Sequence, residues 1–339
     1  MKNRVAFFDI AKGIGIILVI ICHIESTPLF IRQYIVTFHM PAFFIISGML
    51  MNLTREAERP LKDMVKRKLH TIMLPYVIFS IILPFIDIKY YAEAGLEDPT
   101  IALKTELLTG LSMTGISVLW FLPALFFSEL IVLGIIKNKK RPLIIILILL
   151  LIASFWPLSL LIRPMGLMLW RTAYCSFLVM LGYLLFPLLS FFKDRPGLSA
   201  CSSLILFIIL YFTGSANGIV DLHFIVLGNR ILYYLNAMIG SLALILISIF
   251  IEMLPVRFLY VPLRFFGEHT LFIMLTHMIL MEYVIRIGDF VSRHSDLPKA
   301  LTQTLVNIAT MLLVETLLIF IWEKIKTAYS KYRISRNNS

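Results

Sequence analysis

Charge is what this sequence has least of. Only 15% of its 339 residues are Asp, Glu, Lys or Arg, against about 25% in a soluble domain. That shortage argues against an ordinary water-soluble fold. Cysteine is scarce as well: Cys22, Cys175 and Cys201 are odd in number, sit in or beside apolar segments and form no C-x-x-C pair. Neither a disulfide framework nor a thiolate metal site fits that pattern. The chain also has no Walker A loop, no H-E-x-x-H, no G-x-S-x-G and no metal-ligand cluster. An ATP-driven pump and a membrane zinc protease are disfavoured, no metal is expected, and nothing reads as a nucleic-acid module.

What is abundant is apolar. Hydrophobic residues make up 59% of the chain, and the mean hydropathy is +0.90. Apolar runs near or above 18 residues recur between short charged loops, the pattern of an all-α polytopic membrane protein. A transmembrane β-barrel would show alternating ten-residue segments instead. Ten spans are expected, near 10–27, 31–51, 71–88, 117–136, 142–162, 168–191, 199–213, 231–251, 267–285 and 303–322. They form one membrane domain over 1–339, with a core of about 4–325 and a basic tail, 326–339. The longest interruption, about 88–116, is acidic (Glu93, Glu97, Asp98, Glu106, with Asp87 at its edge) and has room for an amphipathic segment. The stretch 213–230 has room for a re-entrant one.

The net charge of +11 resides beside the apolar segments, where it sets orientation and meets anionic lipid. About two thirds of the 31 Lys and Arg fall on the N-terminal side of these ten spans, so both termini are expected to be cytoplasmic. The short basic start before an apolar run resembles a signal peptide. Asp9 and Lys12 interrupt that run and no A-x-A-like site follows, so it reads as a retained first helix.

The ionisable residues inside the spans carry the functional signal. Lys12 and His23 are eleven residues apart, about three helical turns, which puts both on one face with ~16 Å between them along the axis. Asp9 lies one turn below Lys12 and is placed to pair with it. His39 opens the second span in F-H-M-P-A-F-F-I-I-S-G, either shaping the outer mouth or meeting an acceptor. His277, in the middle of the ninth span, is either a polar contact between helices or part of a site, with Glu282 nearby. Glu129, Arg171, Asn236 and Glu315 add polar groups to the interior, which suits an enzyme or a transporter. Lys66, Arg67, Lys68 and His70 stand at the cytoplasmic mouth of the third span. They either set topology or bind a phosphate-rich cytosolic ligand.

These motifs resemble the acyltransferase-3 family of integral membrane acyltransferases, most closely its branch of fucose 4-O-acetylase-like sugar acetylases. The resemblance spans about residues 4–325. It rests on a basic residue, ten intervening residues and a histidine, here Lys12 and His23, with D-I-A-K-G-I-G-I-I-L-V around them, and then on F-H-M-P-A-F-F-I-I-S-G. Further support comes from the basic cluster before Leu74-Pro75-Tyr76, from Leu119-Trp120-Phe121-Leu122, and from Phe266-Gly267 leading to His277. The chain has lysine at position 12 where much of the family has arginine, which keeps the charge but loses the bidentate fork. The W-S-L-x-x-E pattern of other branches of the family is W-F-L-P-A-L here, so Glu129 takes no catalytic role from the resemblance.

The resemblance implies acyl transfer, usually of acetyl from cytosolic acetyl-CoA or another acyl-CoA, with no permanently bound cofactor. The acceptor would be a sugar hydroxyl of a surface polysaccharide, a lipopolysaccharide or a lipid-linked precursor, at a bacterial inner membrane. Lys66, Arg67, Lys68 and His70 would then clamp donor phosphates and Lys12 would hold or position the donor. His23 would act as general base or pass through an acyl-histidine. The rival from a different class is a transporter or flippase for a sugar or glycolipid. No second copy of the Lys12–His23 pattern is present to mark the internal repeat such a protein often has.

Overall fold

The computed structural model describes residues 5–93, 98–138, 142–155, 165–295 and 298–337. Lys2, Arg4, Glu97 and the basic residues 139–141 lie outside the described residues. In chain order the α-helices are α1 (Ala6–His23), α2 (Leu29–Val36), α3 (His39–Leu53), α4 (Leu61–Lys68), α5 (Leu74–Glu93), α6 (Pro99–Leu111), α7 (Phe121–Ile136) and α8 (Leu143–Phe155). They continue as α9 (Met165–Leu185), α10 (Leu189–Lys193), α11 (Pro196–Ala216), α12 (Arg230–Met253), α13 (Arg257–Glu268), α14 (Thr270–Arg293) and α15 (Lys299–Asn337). Strand-like pairing among the described residues is confined to one isolated bridge, Asp221 with Val226.

Among the described residues nine helical segments are long and apolar enough to cross a membrane. The fifth expected span, 142–162, is represented by α8. At 13 residues it is about 20 Å long, short of a ~30 Å hydrocarbon core, and residues 156–164 lie outside the described residues. The acidic interruption holds α6, whose start is capped by the Asp98 carboxylate accepting from the Thr100 N–H at 2.9 Å. The seventh span is longer than the sequence indicates, running from Pro196 to Ala216. The stretch 213–230 is the end of α11 followed by a turn-rich loop rather than a re-entrant helix.

The distribution of polarity follows from lipid as solvent. Leu204, Ile205, Phe212, Leu313, Leu317 and Phe320 are exposed on α11 and α15, whereas Asn236, Ser241, Ser248, His277 and Glu315 are fully buried. Interior hydroxyls of this kind donate to carbonyls one turn back, as Ser241 does to Ala237 and Ser248 to Leu244, because hydrocarbon offers them no other partner.

α1 is the central element. It packs against α13, α12, α3 and α14, with lesser contacts to α2 and α15. Two glycines permit its close crossing with α13: a methyl added at Gly267 would stand 1.6 Å from the Asp9 carbonyl oxygen, and one at Gly13 would stand 1.8 Å from that of Leu263. Backbone meets backbone there, so the helices themselves must part to admit a side chain. Gly267→Ala is therefore expected to cost roughly 1–3 kcal/mol by overpacking and to displace the turn that carries Asp9 and Lys12. Gly134, with nothing within 4 Å of an added methyl, should tolerate alanine. Melting temperatures of the two variants in detergent check this contrast; equal melting points would contradict it.

Candidate active site

Three histidines reach the interior by the same local device. His23 ends α1 and its Nδ1 lies 2.8 Å from the Val19 carbonyl. His39 opens α3 with Nδ1 2.9 Å from the Ile35 carbonyl, and His277 in α14 has Nδ1 2.8 Å from that of Ile273. A carbonyl oxygen only accepts, so in each bond Nδ1 carries the hydrogen. Nε2 of the neutral ring is left with its lone pair. Such a nitrogen can take a proton. The rings of His23 and His277 meet at 5.2 Å between centroids, inclined by 65°. His277 is fully buried, and its Nε2 has no hydrogen-bond partner.

His23 and His39 open into a cavity of about 280 Å³, shared with Cys22, Trp120, Asp221, His223 and Met274. We term it the histidine cavity. A second, the lysine cavity, has about 330 Å³ and is lined by Lys12, Ser47, Glu56, Arg67, Lys68, Glu129 and, again, Met274. Lys12 and His23, which share a face of α1, thus serve two neighbouring chambers. A third cavity, of about 350 Å³, meets the histidine cavity at Ser117 and His223 and includes Thr109, Thr114 and Arg171.

The lysine cavity is charged but internally compensated. Lys68 Nζ lies 2.8 Å from Glu129 Oε2 and 2.9 Å from Glu56 Oε2. The Ser47 hydroxyl donates a short hydrogen bond to the other oxygen of Glu129, and Arg67 approaches Glu56 at 3.9 Å. Two cations thus face two carboxylates. Asp9 holds Lys12 at 2.7 Å, the pairing their spacing foretells. Of the basic cluster, Arg67 lines the cavity with an exposed side chain and Lys68 is engaged by carboxylates; Lys66 and His70 are exposed outside its lining. A π-helical turn, Leu69–Met73, follows Lys68 and contains His70. It offsets the register of α5 relative to α4 by one residue, and Lys68, just before it, is buried against Glu56 and Glu129.

Two loops close the histidine cavity. Residues 112–120 contain three backbone positions at positive φ, Met113 (60°), Gly115 (82°) and Ser117 (45°); the loop 217–229 contains Ile225 at 63°. For a β-branched residue that conformation is strained. Arg171, 2% exposed, ties the two loops together. It donates to the Thr114 carbonyl at 2.6 Å and, through a short bond, to that of His223. Its guanidinium also lies 5.3 Å from the Trp120 ring. Trp120 stacks on His223 at 6.3 Å with 12° between planes. Arg171 thus occupies a clamping position.

Burial pushes the His223 imidazole down to about 4; the Arg171 cation acts in the same direction, and Asp221 opposes both. The neutral ring belongs to the folded state. Between about pH 6.5 and 4 the unfolded chain binds the extra proton, so this contribution is complete above pH 6.5 and is lost as pH falls toward 4. Acidification should loosen the loop over that window, read as faster proteolysis or hydrogen exchange at 217–229. His223→Gln should flatten the response, and an unchanged profile would contradict it.

Sequence reasoning did not single out Glu56, Asp221, His223 or Met274 as site residues. Asp221 and His223 lie in the stretch whose form was open, and their D-L-H spacing was the available signal. Glu282, expected near His277, instead pairs with Arg286 at an exposed position. Glu315 accepts from the Thr276 hydroxyl at 2.8 Å and Asn236 donates to the Thr213 carbonyl at 3.2 Å; both bind helices together.

An apolar exterior, a polar interior and paired chambers lined by basic nitrogens define a polytopic helical membrane protein with an internal site. The family model described as an acyltransferase domain matches residues 5–322. The chain belongs to the acyltransferase-3 family and is a membrane acyltransferase. Neither the curated proteins nor the solved structures contain a match to it.

Proposed function

We propose that this acyltransferase is an O-acetyltransferase of the fucose 4-O-acetylase-like kind. It moves acetyl from acetyl-CoA to a sugar hydroxyl of a surface polysaccharide, a lipopolysaccharide or a lipid-linked precursor in a bacterial inner membrane. The observation that carries the reading is the pairing of the two chambers. One presents Lys12 and Arg67, the other His23 with its Nδ1 engaged by the Val19 carbonyl, and Met274 lines both.

The lysine cavity takes the donor from the cytoplasm. Arg67 and Lys12 face the coenzyme A phosphates, with Asp9 and Glu56 keeping both cations compensated until the donor arrives. Pantetheine has as many backbone bonds as roughly four extended residues, so it reaches ~14 Å, close to the ~16 Å between Lys12 and His23 along α1. The acceptor occupies the histidine cavity, with Trp120 offering an apolar sugar platform and Asp221 a hydroxyl acceptor. His23 Nε2 accepts the proton of the sugar hydroxyl as its oxygen attacks the thioester carbonyl carbon. The C–S bond then breaks, and the thiolate of coenzyme A takes the proton back from the imidazolium. His39 and His277 flank the base. Arg171 holds the cavity wall and Glu129 the donor chamber.

The test is binding and transfer together. Purified protein should retain radiolabelled acetyl-CoA, and membranes containing it should place the label on a glycan fraction. Retention of a sugar or glycolipid with no acetyl transfer would favour the transporter and overturn this reading.

A further inference from the structure

Met274 is common to the linings of the lysine and histidine cavities. It lies in α14, is 2% exposed, and sits between residues that belong to one side or the other. Thr270 and Leu271, a turn earlier, line the lysine cavity. His277, three residues later, meets the His23 ring. The opposite wall changes hands in the same way: Trp120 lines the histidine cavity and its neighbour Phe121 the lysine cavity. The partition between the chambers is therefore about one side chain thick, and on the α14 side that side chain is Met274.

We propose that Met274 is a movable partition which the acyl end of the donor displaces to reach His23, and that its bulk limits the length of the acyl chain transferred. This rests on the reading that the lysine cavity holds acyl-CoA. Methionine suits the task because it is unbranched and has three rotatable bonds ending in a polarizable thioether. It can fill a gap when at rest and change rotamer without moving the backbone. A β-branched or aromatic residue in the same place would be stiff. An acetyl group adds two carbons beyond the sulfur and needs only the terminal part of the methionine to swing. A butyryl group, two methylenes longer, meets the rest of it.

The experiment compares wild type, Met274→Ala and Met274→Trp at matched abundance in membranes of host cells lacking the native gene. The membranes receive radiolabelled acetyl-CoA or butyryl-CoA, and label is counted in the glycan fraction. Retention of labelled acetyl-CoA by each purified protein is measured in parallel. Met274→Ala should raise the butyryl-to-acetyl transfer ratio by about tenfold or more, the discrimination that one or two methylenes command in an apolar site. Met274→Trp should abolish transfer while acetyl-CoA is still retained. If Met274→Trp does not fold, the alanine ratio decides alone. Wild-type selectivity in Met274→Ala, or normal transfer by Met274→Trp, overturns the partition with the proposed function intact. A wild type that neither retains acetyl-CoA nor transfers acetyl overturns both.

Discussion

His23→Ala should lower acetyl transfer by roughly 10²–10⁴-fold, the range a positioned general base contributes, with the protein folded and acetyl-CoA still retained. The geometry makes the separation possible. His23 is the last residue of α1 and only half-buried, so removing its ring leaves the α1–α13 crossing untouched. Its Nδ1 is committed to Val19, which fixes Nε2 as the basic nitrogen. Glutamine at 23 should be as inactive as alanine, since an amide cannot accept the proton. His277→Ala should behave differently. That ring is fully buried in mid-helix, and its loss should reduce stability along with activity. If His23→Ala retains wild-type turnover, the base lies elsewhere, with His39 and His223 the remaining imidazoles of the cavity.

The second large effect belongs to Lys68. Removing it leaves Glu56 and Glu129, both buried, without the cation they share. Breaking a buried ion pair on one side costs about 3–5 kcal/mol, because the surviving charge stays desolvated. Lys68→Ala should therefore abolish recovery of folded protein from detergent. Lys68→Met combined with Glu56→Gln and Glu129→Gln should restore much of it, since the uncompensated charge is gone. Arg67→Ala provides the contrast. Its side chain is exposed and lines the cavity, so the expected outcome is a higher KM for acetyl-CoA at an unchanged melting temperature. A Lys68→Ala protein that folds normally and merely binds donor less well would show that Lys68 is a phosphate ligand after all.

Much of this was legible because helix periodicity is local. Eleven residues fix the common face of Lys12 and His23, and three fix the Asp9–Lys12 pair, with no knowledge of the rest of the chain. Hydropathy located the spans; of 142–162 the described residues show helix over Leu143–Phe155, and the remainder lies outside the described residues. The clustering of polar groups across helices was not legible. Lys68 looks like a surface cation in sequence because Glu129, the carboxylate it meets across the fold, is 61 residues away. Asp221 and His223 reach His23 through a loop almost 200 residues downstream, held by Arg171 from another helix. Met274 reads as one apolar residue among many, and only the arrangement of two cavities distinguishes it.

The most direct measurement is mass spectrometry of surface and lipid-linked glycans from host cells with the wild-type gene, with a deletion, and with His23→Ala at matched membrane abundance. Deletion and His23→Ala should both remove one acetyl group per glycan repeat, and the wild-type gene supplied in trans should return it. Unchanged acetylation in the deletion, accompanied by accumulation of unexported glycan, would contradict that expectation.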